Sequence, residues 1–215
     1  MSRSPVRTEI VRLSMAAIVS GPGPSEQTGR MDVAEVMRVV PRAAFLPDDQ
    51  RALADEDRPL PIGDDQTSSQ PRTVAAMLAL LDVHPGHRVL DVGAGSGWTT
   101  AMLAELVGPT GEVLGIELSP ALARWGAANL ARRERSWATL REAAPGVLGA
   151  PDESPYDRVL VSAEARSMPQ SLVDQLGPGG VLVIPVAGQM TRVVRGTDAR
   201  VRTTEHGAYR FVPLR

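Results

Sequence analysis

The run Val89-Leu90-Asp91-Val92-Gly93-Ala94-Gly95-Ser96-Gly97-Trp98 constrains the fold of this chain more than any other. Its short apolar opening reads as a buried strand. Three alternating glycines break it, and the stretch from Thr99 to Val107 continues with a helical pattern. Strand, glycine turn and helix open a βαβ unit whose helix N-terminus is free to meet a ligand. The glycines let the backbone turn sharply and leave no Cβ between the loop and a bound group.

Two nucleotide ligands compete for such a loop. Dinucleotide binding wants G-x-G-x-x-G after the strand. Here the spacing is G-x-G-x-G, and Asp91 stands two residues before the first glycine. A carboxylate there repels a pyrophosphate and suits a ligand with an ammonium group. S-adenosylmethionine is such a ligand, with an amino-acid end, a sulfonium, a ribose and no phosphate. A glycine loop by itself is equally a plain strand–helix turn. A second acid adds weight: Gly111-Glu112-Val113-Leu114-Gly115-Ile116-Glu117 reads as the next strand, ending in a carboxylate placed to accept both ribose hydroxyls.

At 215 residues the chain is expected to form one domain around a full core. A net charge of −2 gives no reason to expect nucleic acid. Without cysteine there is no disulfide framework and no thiolate nucleophile. All 23 basic residues are arginine, which removes Schiff-base chemistry and a Walker-type phosphate loop. His84 and His87 flank a Pro-Gly turn with only His206 elsewhere, so no metal site is expected, and both are read as exposed turn residues. No apolar run approaches a membrane span. The expectation is a cytoplasmic monomer.

Residues 1–30 are read as a loosely attached segment, with Glu9 to Val19 a short helix at most, Leu13 to Val19 too short for a clear signal peptide, and a breaker-rich loop over Gly21 to Glu26. From Met31 the domain begins. Asp32 caps a helix that Pro41 limits, and a second helix begins near Pro71 with Val74, Met77, Leu78 and Leu81 on one face. Ser119 and Pro120 start another helix through Leu130. Thr139 to Glu142 and Tyr156 to Ser162 read as strands, Pro169 to Leu176 as a helix stopped by Gly177-Pro178-Gly179-Gly180. Val181 to Val186, Thr191 to Arg195 and Tyr209 to Val212 complete a doubly wound, mostly parallel, seven-stranded α/β sheet.

Several separated segments resemble one family, the protein-L-isoaspartate O-methyltransferases. They are Val40-Pro41-Arg42-Ala43-Ala44-Phe45-Leu46-Pro47, Arg58 to Gly63, Gln66 to Pro71, the glycine loop, Gly111 to Glu117, Pro155 to Ala165, Leu176 to Val186 and the ending Tyr209 to Leu214. The segment around Ser69 and the ending are the specific part; the glycine loop is shared by many methyltransferases. The resemblance implies a Rossmann-like class I fold and transfer of a methyl group from S-adenosylmethionine to the free α-carboxylate of isoaspartyl residues in proteins or peptides. The ester then closes to a succinimide, which opens partly to normal aspartate. By the same resemblance Ser69 is the active-site serine. Asp91, Gly93, Ala94, Gly95, Ser96 and Gly97 hold the cofactor with Glu117 and Leu118. Ile62, Gly63, Thr67, Ser68, Arg210, Phe211 and Val212 hold the acceptor.

The chemistry agrees with the residues. A carboxylate is ionised at pH 7, so methylating it needs no general base, only alignment and hydrogen-bond donors. The chain departs from the family at Ser68, usually isoleucine, at Arg72, often aromatic, and at Asp64-Asp65. A family Gly-Asp-Gly appears as Arg141-Glu142-Ala143, leaving Glu142 to accept the adenine amino group. Two alternatives stand beside the repair reading: a divergent paralogue methylating aspartate or another carboxylate in a dedicated peptide, and a non-catalytic cofactor-binding module.

Overall fold

The structure, a computed structural model, describes residues 9–12 and 31–215. The elements in chain order are β1 (Glu9–Arg12), α1 (Val33–Val39), β2 (Leu60–Gly63), β3 (Gln66–Ser68), α2 (Pro71–Leu81), β4 (Arg88–Val92) and α3 (Trp98–Val107). They continue with β5 (Glu112–Glu117), α4 (Pro120–Ala131), β6 (Ala138–Glu142), β7 (Tyr156–Val161), α5 (Gln170–Val173), β8 (Leu176–Val186), β9 (Gln189–Arg195) and β10 (Val201–Ala208). Local chemistry starts two helices as expected: Asp32 accepts the Glu35 N–H at 2.7 Å, and Ser119 Oγ accepts the Leu122 N–H at 3.2 Å.

One sheet runs β1-β10-β9-β8-β7-β4-β5-β6, and β2 pairs with β3 in a separate ribbon. β9 is antiparallel to both neighbours while the other pairings are parallel. Alternation along the strands divides the core. Val89, Val113, Leu140, Leu160 and Val183 face α1 to α4, whereas Leu90, Leu114, Val159 and Leu182 face α5 and the loops around it. Both faces are covered, one by four helices and the other by a single helical turn and connecting chain. The chain leaves β4 for β5 on one side and later returns to β7 on the other. That reversal opens a crevice at the C-terminal ends of β4 and β7, where ligands settle in such sheets.

Several local expectations are corrected. Glu9–Arg12 is a strand, not a helix, and pairs with β10 as an eighth strand; Leu13 to Val19 and the breaker-rich stretch over 21–26 lie outside the described residues. The helix expected from Pro169 to Leu176 is one turn, and Gly177-Pro178-Gly179-Gly180 lies inside β8. The ladder explains this: Leu176 pairs with Tyr156 and Val181 with Arg158, so the glycine-rich insert is a bulge within a strand, not the end of a helix. The last strand is Val201–Ala208, which the sequence reading passed over because its side chains are mostly polar; Tyr209 to Val212 leaves the sheet. The two histidines are half-buried, not exposed: His87 Nδ1 accepts the His84 N–H at 3.1 Å, and burial pushes its pKa down to about 4. Among the described residues no helix is long and apolar enough to cross a membrane.

Candidate active site

The glycine loop lies in the crevice at the end of β4. Gly95 and Gly97 have φ of +54° and +87°, and an added Cβ on Gly97 would come within 3.0 Å of the Gly126 carbonyl oxygen. Larger residues are therefore excluded by both backbone conformation and space. Asp91 is fully buried beneath the loop. Its Oδ2 accepts hydrogen bonds from Thr99 Oγ1 at 2.7 Å and Thr100 Oγ1 at 2.8 Å. Its Oδ1 is buried without a partner among the described residues, and burial raises the pKa to about 6. A buried acceptor left unpaired is costly unless a donor arrives. The ammonium of S-adenosylmethionine is a donor of the right charge.

Glu117 ends β5 beside the loop and is nearly buried. Its Oε2 accepts the Gly95 N–H at 2.8 Å and its Oε1 the Ser119 N–H at 2.9 Å. Each carboxylate oxygen keeps a lone pair for a further donor, so a ribose diol fits without displacing the loop. Leu118 and Val147 are the large apolar side chains left exposed among the described residues, and both line the same cavity. They suit a flat, weakly polar ring such as adenine.

Another part of the cavity lining comes from the β2–β3 hairpin. Its turn residues Asp64 and Asp65 have φ of +50° and +55°, a conformation that short polar side chains tolerate and two-residue hairpin turns require. Ile62 of this hairpin packs on the glycine loop. The strand then delivers Ser68, Ser69 and Gln70 to the N-terminus of α2. Asp57 reaches that terminus from the preceding loop: Oδ1 accepts the Arg72 N–H at 2.9 Å and Oδ2 the Gln70 Nε2–H at 2.9 Å. These hydrogen bonds hold the Asp57 carboxyl below the usual range. Ser68 is buried and bonded to Arg42, while the Ser69 hydroxyl has no partner among the described residues and faces the cavity.

The C-terminal segment closes the opposite wall. The Glu164 N–H donates to the Val212 carbonyl at 2.7 Å, and the Leu214 N–H donates to the Glu164 carbonyl at 2.8 Å. Residues following β7 thus carry the ending of the chain to the site.

The resulting cavity has a volume of about 790 Å³, in the upper part of the range for small-molecule sites, with room beyond a cofactor. Of the residues expected from sequence, Ile62, Thr67, Ser68, Ser69, Gly93, Ala94, Gly95, Ser96, Glu117, Leu118 and Val212 line it. Asp91, Gly63, Gly97, Arg210 and Phe211 do not line it: Asp91 is wholly buried beneath the glycine loop, and Arg210 is exposed. Glu142 is registered beside Glu117 but is exposed and outside the lining, where Ala143 and Ala144 stand instead. The sequence reading missed the loop 146–149, the residues after β7 and the structural role of Arg42. The apolar Val147 amid glycine, alanine and proline was the available signal for the first.

The model of the family described as protein-L-isoaspartate(D-aspartate) O-methyltransferase matches residues 26–215. The chain belongs to this family. A protein-L-isoaspartate O-methyltransferase of Methanopyrus kandleri is 46% identical over 186 residues, covering 85% of this chain and 82% of that relative. A solved structure of a protein-L-isoaspartate O-methyltransferase superposes with a TM-score of 0.74 at 25% identity, covering 85% of this chain and 60% of the other, so the chain spans somewhat less than two thirds of that solved protein. A Plasmodium falciparum structure described as a protein of this family in complex with S-adenosyl-L-homocysteine has the same fold, with a TM-score of 0.74 at 24% identity over 87% of this chain and 92% of that one. Membership agrees with the class I methyltransferase fold described above.

Proposed function

We propose that the protein transfers a methyl group from S-adenosylmethionine to the α-carboxylate of isoaspartyl residues in proteins and peptides, with residues 31–215 carrying the reaction. The observation that carries this reading is one continuous cavity joining the glycine loop and Glu117 to Ser69 and Val212. When bound, S-adenosylmethionine supplies an electrophilic methyl group on a sulfonium. Asp91 holds its ammonium and Glu117 its ribose. Leu118 and Val147 border its base, a role that falls to Ala143 and its neighbours more than to Glu142. The Ser69 hydroxyl, with the amides at the start of α2, holds the acceptor carboxylate by donation. One oxygen of that carboxylate forms the new bond to carbon as the carbon–sulfur bond breaks. No proton moves, because the nucleophile is already ionised. Alignment is then the whole of the catalytic task, and a misplacement of about 1 Å can reduce the rate on the order of 100-fold.

The hairpin on one side and residues 211–214 on the other leave the acceptor gripped from two directions. An isoaspartyl residue presents its α-carboxylate on a short branch while the main chain runs on through the side-chain carbonyl. A normal aspartate of the same peptide does not present a carboxylate in that frame. The decisive experiment incubates the protein with labelled cofactor and paired isoaspartyl and aspartyl peptides. Strong preference for the isoaspartyl peptide is expected. Equal or faster methylation of the aspartyl peptide overturns the repair reading in favour of a dedicated peptide acceptor. Tight cofactor binding with no methyl transfer to either favours a binding module. We infer a cytoplasmic monomer, for which the unremarkable charge and absence of cysteine are the support.

A further inference from the structure

We propose that Arg42 is a positioning residue that sets the spacing between Ser69 and the cofactor loop. Arg42 opens the turn Arg42–Phe45 after α1 and is 5% exposed. It makes a nearly complete set of hydrogen bonds without a carboxylate partner. Nε donates to Ser68 Oγ at 3.1 Å, and one terminal nitrogen donates to the Ser68 carbonyl at 2.9 Å and the Arg58 carbonyl at 3.0 Å. The other terminal nitrogen donates to the Glu56 carbonyl at 3.1 Å and, at 3.4 Å, to the Ala54 carbonyl.

The guanidinium carbon also sits 5.5 Å from the centroid of the Trp98 ring, within cation–π range. Trp98 is the first residue of α3, directly after Gly97, and its indole N–H donates to the Val40 carbonyl at 3.0 Å. One side chain therefore touches the end of β3 at Ser68, next to Ser69, the loop that carries Asp57 to the start of α2, and the residue that follows the glycine loop. Asp57 fixes Gln70 and Arg72 on the far side of Ser69, and Arg42 fixes Ser68 on the near side. Ser69 lies between two restraints with its own hydroxyl free for a ligand.

Lysine cannot replace this arrangement. A planar fork reaches separated carbonyls and stacks on an indole at once, whereas an ammonium is a compact point charge on a flexible stem. Where the reaction depends on alignment and not on a base, loosening this restraint acts on turnover and acceptor discrimination more than on cofactor affinity.

The proposal rests on the isoaspartyl reading for its kinetic arm and stands apart from it in its exchange arm. Arg42→Lys is compared with the wild type and with Arg192→Lys, a half-buried arginine that bonds the Leu80 carbonyl at the other end of α2. Arg42→Lys is expected to lower kcat/KM for an isoaspartyl peptide by about tenfold or more and to narrow its preference over the aspartyl peptide. Cofactor affinity by calorimetry stays within about threefold, the scale of a contact one layer removed. Arg192→Lys keeps both kinetic values. In amide hydrogen exchange, Arg42→Lys speeds exchange over residues 66–70 and Arg192→Lys does not. Added guanidinium partly restores turnover to Arg42→Ala. Wild-type kinetics per folded molecule together with unchanged exchange at 66–70 overturn the proposal, as does a fall in cofactor affinity that accounts for the whole loss. If the wild type ignores the isoaspartyl peptide, the substrate reading falls, and the exchange comparison alone decides the role of Arg42.

Discussion

Asp64, on the turn of the β2–β3 hairpin, accepts a hydrogen bond from the Ser119 hydroxyl at the start of α4. The Ser119 N–H is meanwhile bonded to Glu117, so one residue joins the β2–β3 hairpin to the carboxylate proposed to hold the ribose. If this link couples the two halves, the coupling is reciprocal, and substitutions at either end report it. Asp64→Ala is expected to weaken cofactor affinity and raise the acceptor KM by about two- to tenfold each, the range of a net hydrogen-bond contribution of about 0.5–1.5 kcal/mol. Ser119→Ala adds the loss of its helix cap, about 1 kcal/mol. A double-mutant cycle isolates the link, and full additivity of the two substitutions would argue against it.

Removing the Glu117 carboxylate strips the Gly95 and Ser119 amides of their partner and, on the proposed role, takes a charged acceptor from the ribose. Glu117→Ala should cost roughly 1.5–3 kcal/mol of cofactor binding, the usual figure for hydrogen bonds to charged groups. Glu117→Gln, which keeps one acceptor oxygen, should lose less. Calorimetry with unchanged affinity in Glu117→Ala would remove Glu117 from the site.

Ser69 is expected to serve turnover and not cofactor binding. Ser69→Ala should lower kcat/KM by about tenfold or more while cofactor affinity stays near the wild-type value. Since the hydroxyl has no other partner among the described residues, the substitution should leave thermal stability almost untouched. Turnover at the wild-type rate would reduce Ser69 to part of the helix approach.

With Asp91 as the proposed partner of the cofactor ammonium, cofactor affinity is expected to depend on pH. Burial raises its pKa to about 6, with a smaller contribution from the charge of Glu117. Below about pH 6 the free protein therefore holds a proton at Asp91 that a bound ammonium must displace. Affinity should fall as pH drops through this value, with a slope approaching one tenfold step per unit. The stability of the free protein runs the other way. An acid whose pKa is raised on folding favours the folded state as pH falls from about 6 toward its unfolded value of 3.8, and the penalty for charging it is complete above about 6. Titration calorimetry between pH 5 and 8, approximately the span around that value, should show the slope, and Asp91→Asn should abolish it. A flat wild-type profile would contradict the assignment.

What the sequence determined by itself is what depends on neighbours along the chain. The strand–glycine–helix start, the caps at Asp32 and Ser119, the apolar face of α2 and the acids at 91 and 117 are readable because helix and strand periods, turn conformations and capping act over a few residues. Where the local pattern is ambiguous, pairing across the sheet decides the structure. Gly177 to Gly180 looked like a stop and is a bulge, because pairing with β7 pulls the segment into the sheet. The polar strand Val201–Ala208 carried no alternation to find.

The tertiary structure alone decided how the site is assembled. Arg42 binds backbone carbonyls, which every residue has and no sequence marks. Asp57 caps a helix from a preceding loop, so spacing along the chain does not announce it. Glu142, the last residue of β6, is in register with Glu117 yet stays exposed, and the chain just beyond the strand, Ala143 and Ala144, lines the cavity instead; where the chain turns after β6 is not written in its local pattern. Val212 meets the wall opposite Ser69 only because Glu164 pairs with the chain's ending. Such contacts form once burial has fixed the sheet, and their partners are set by three-dimensional proximity, on which local periodicity is silent.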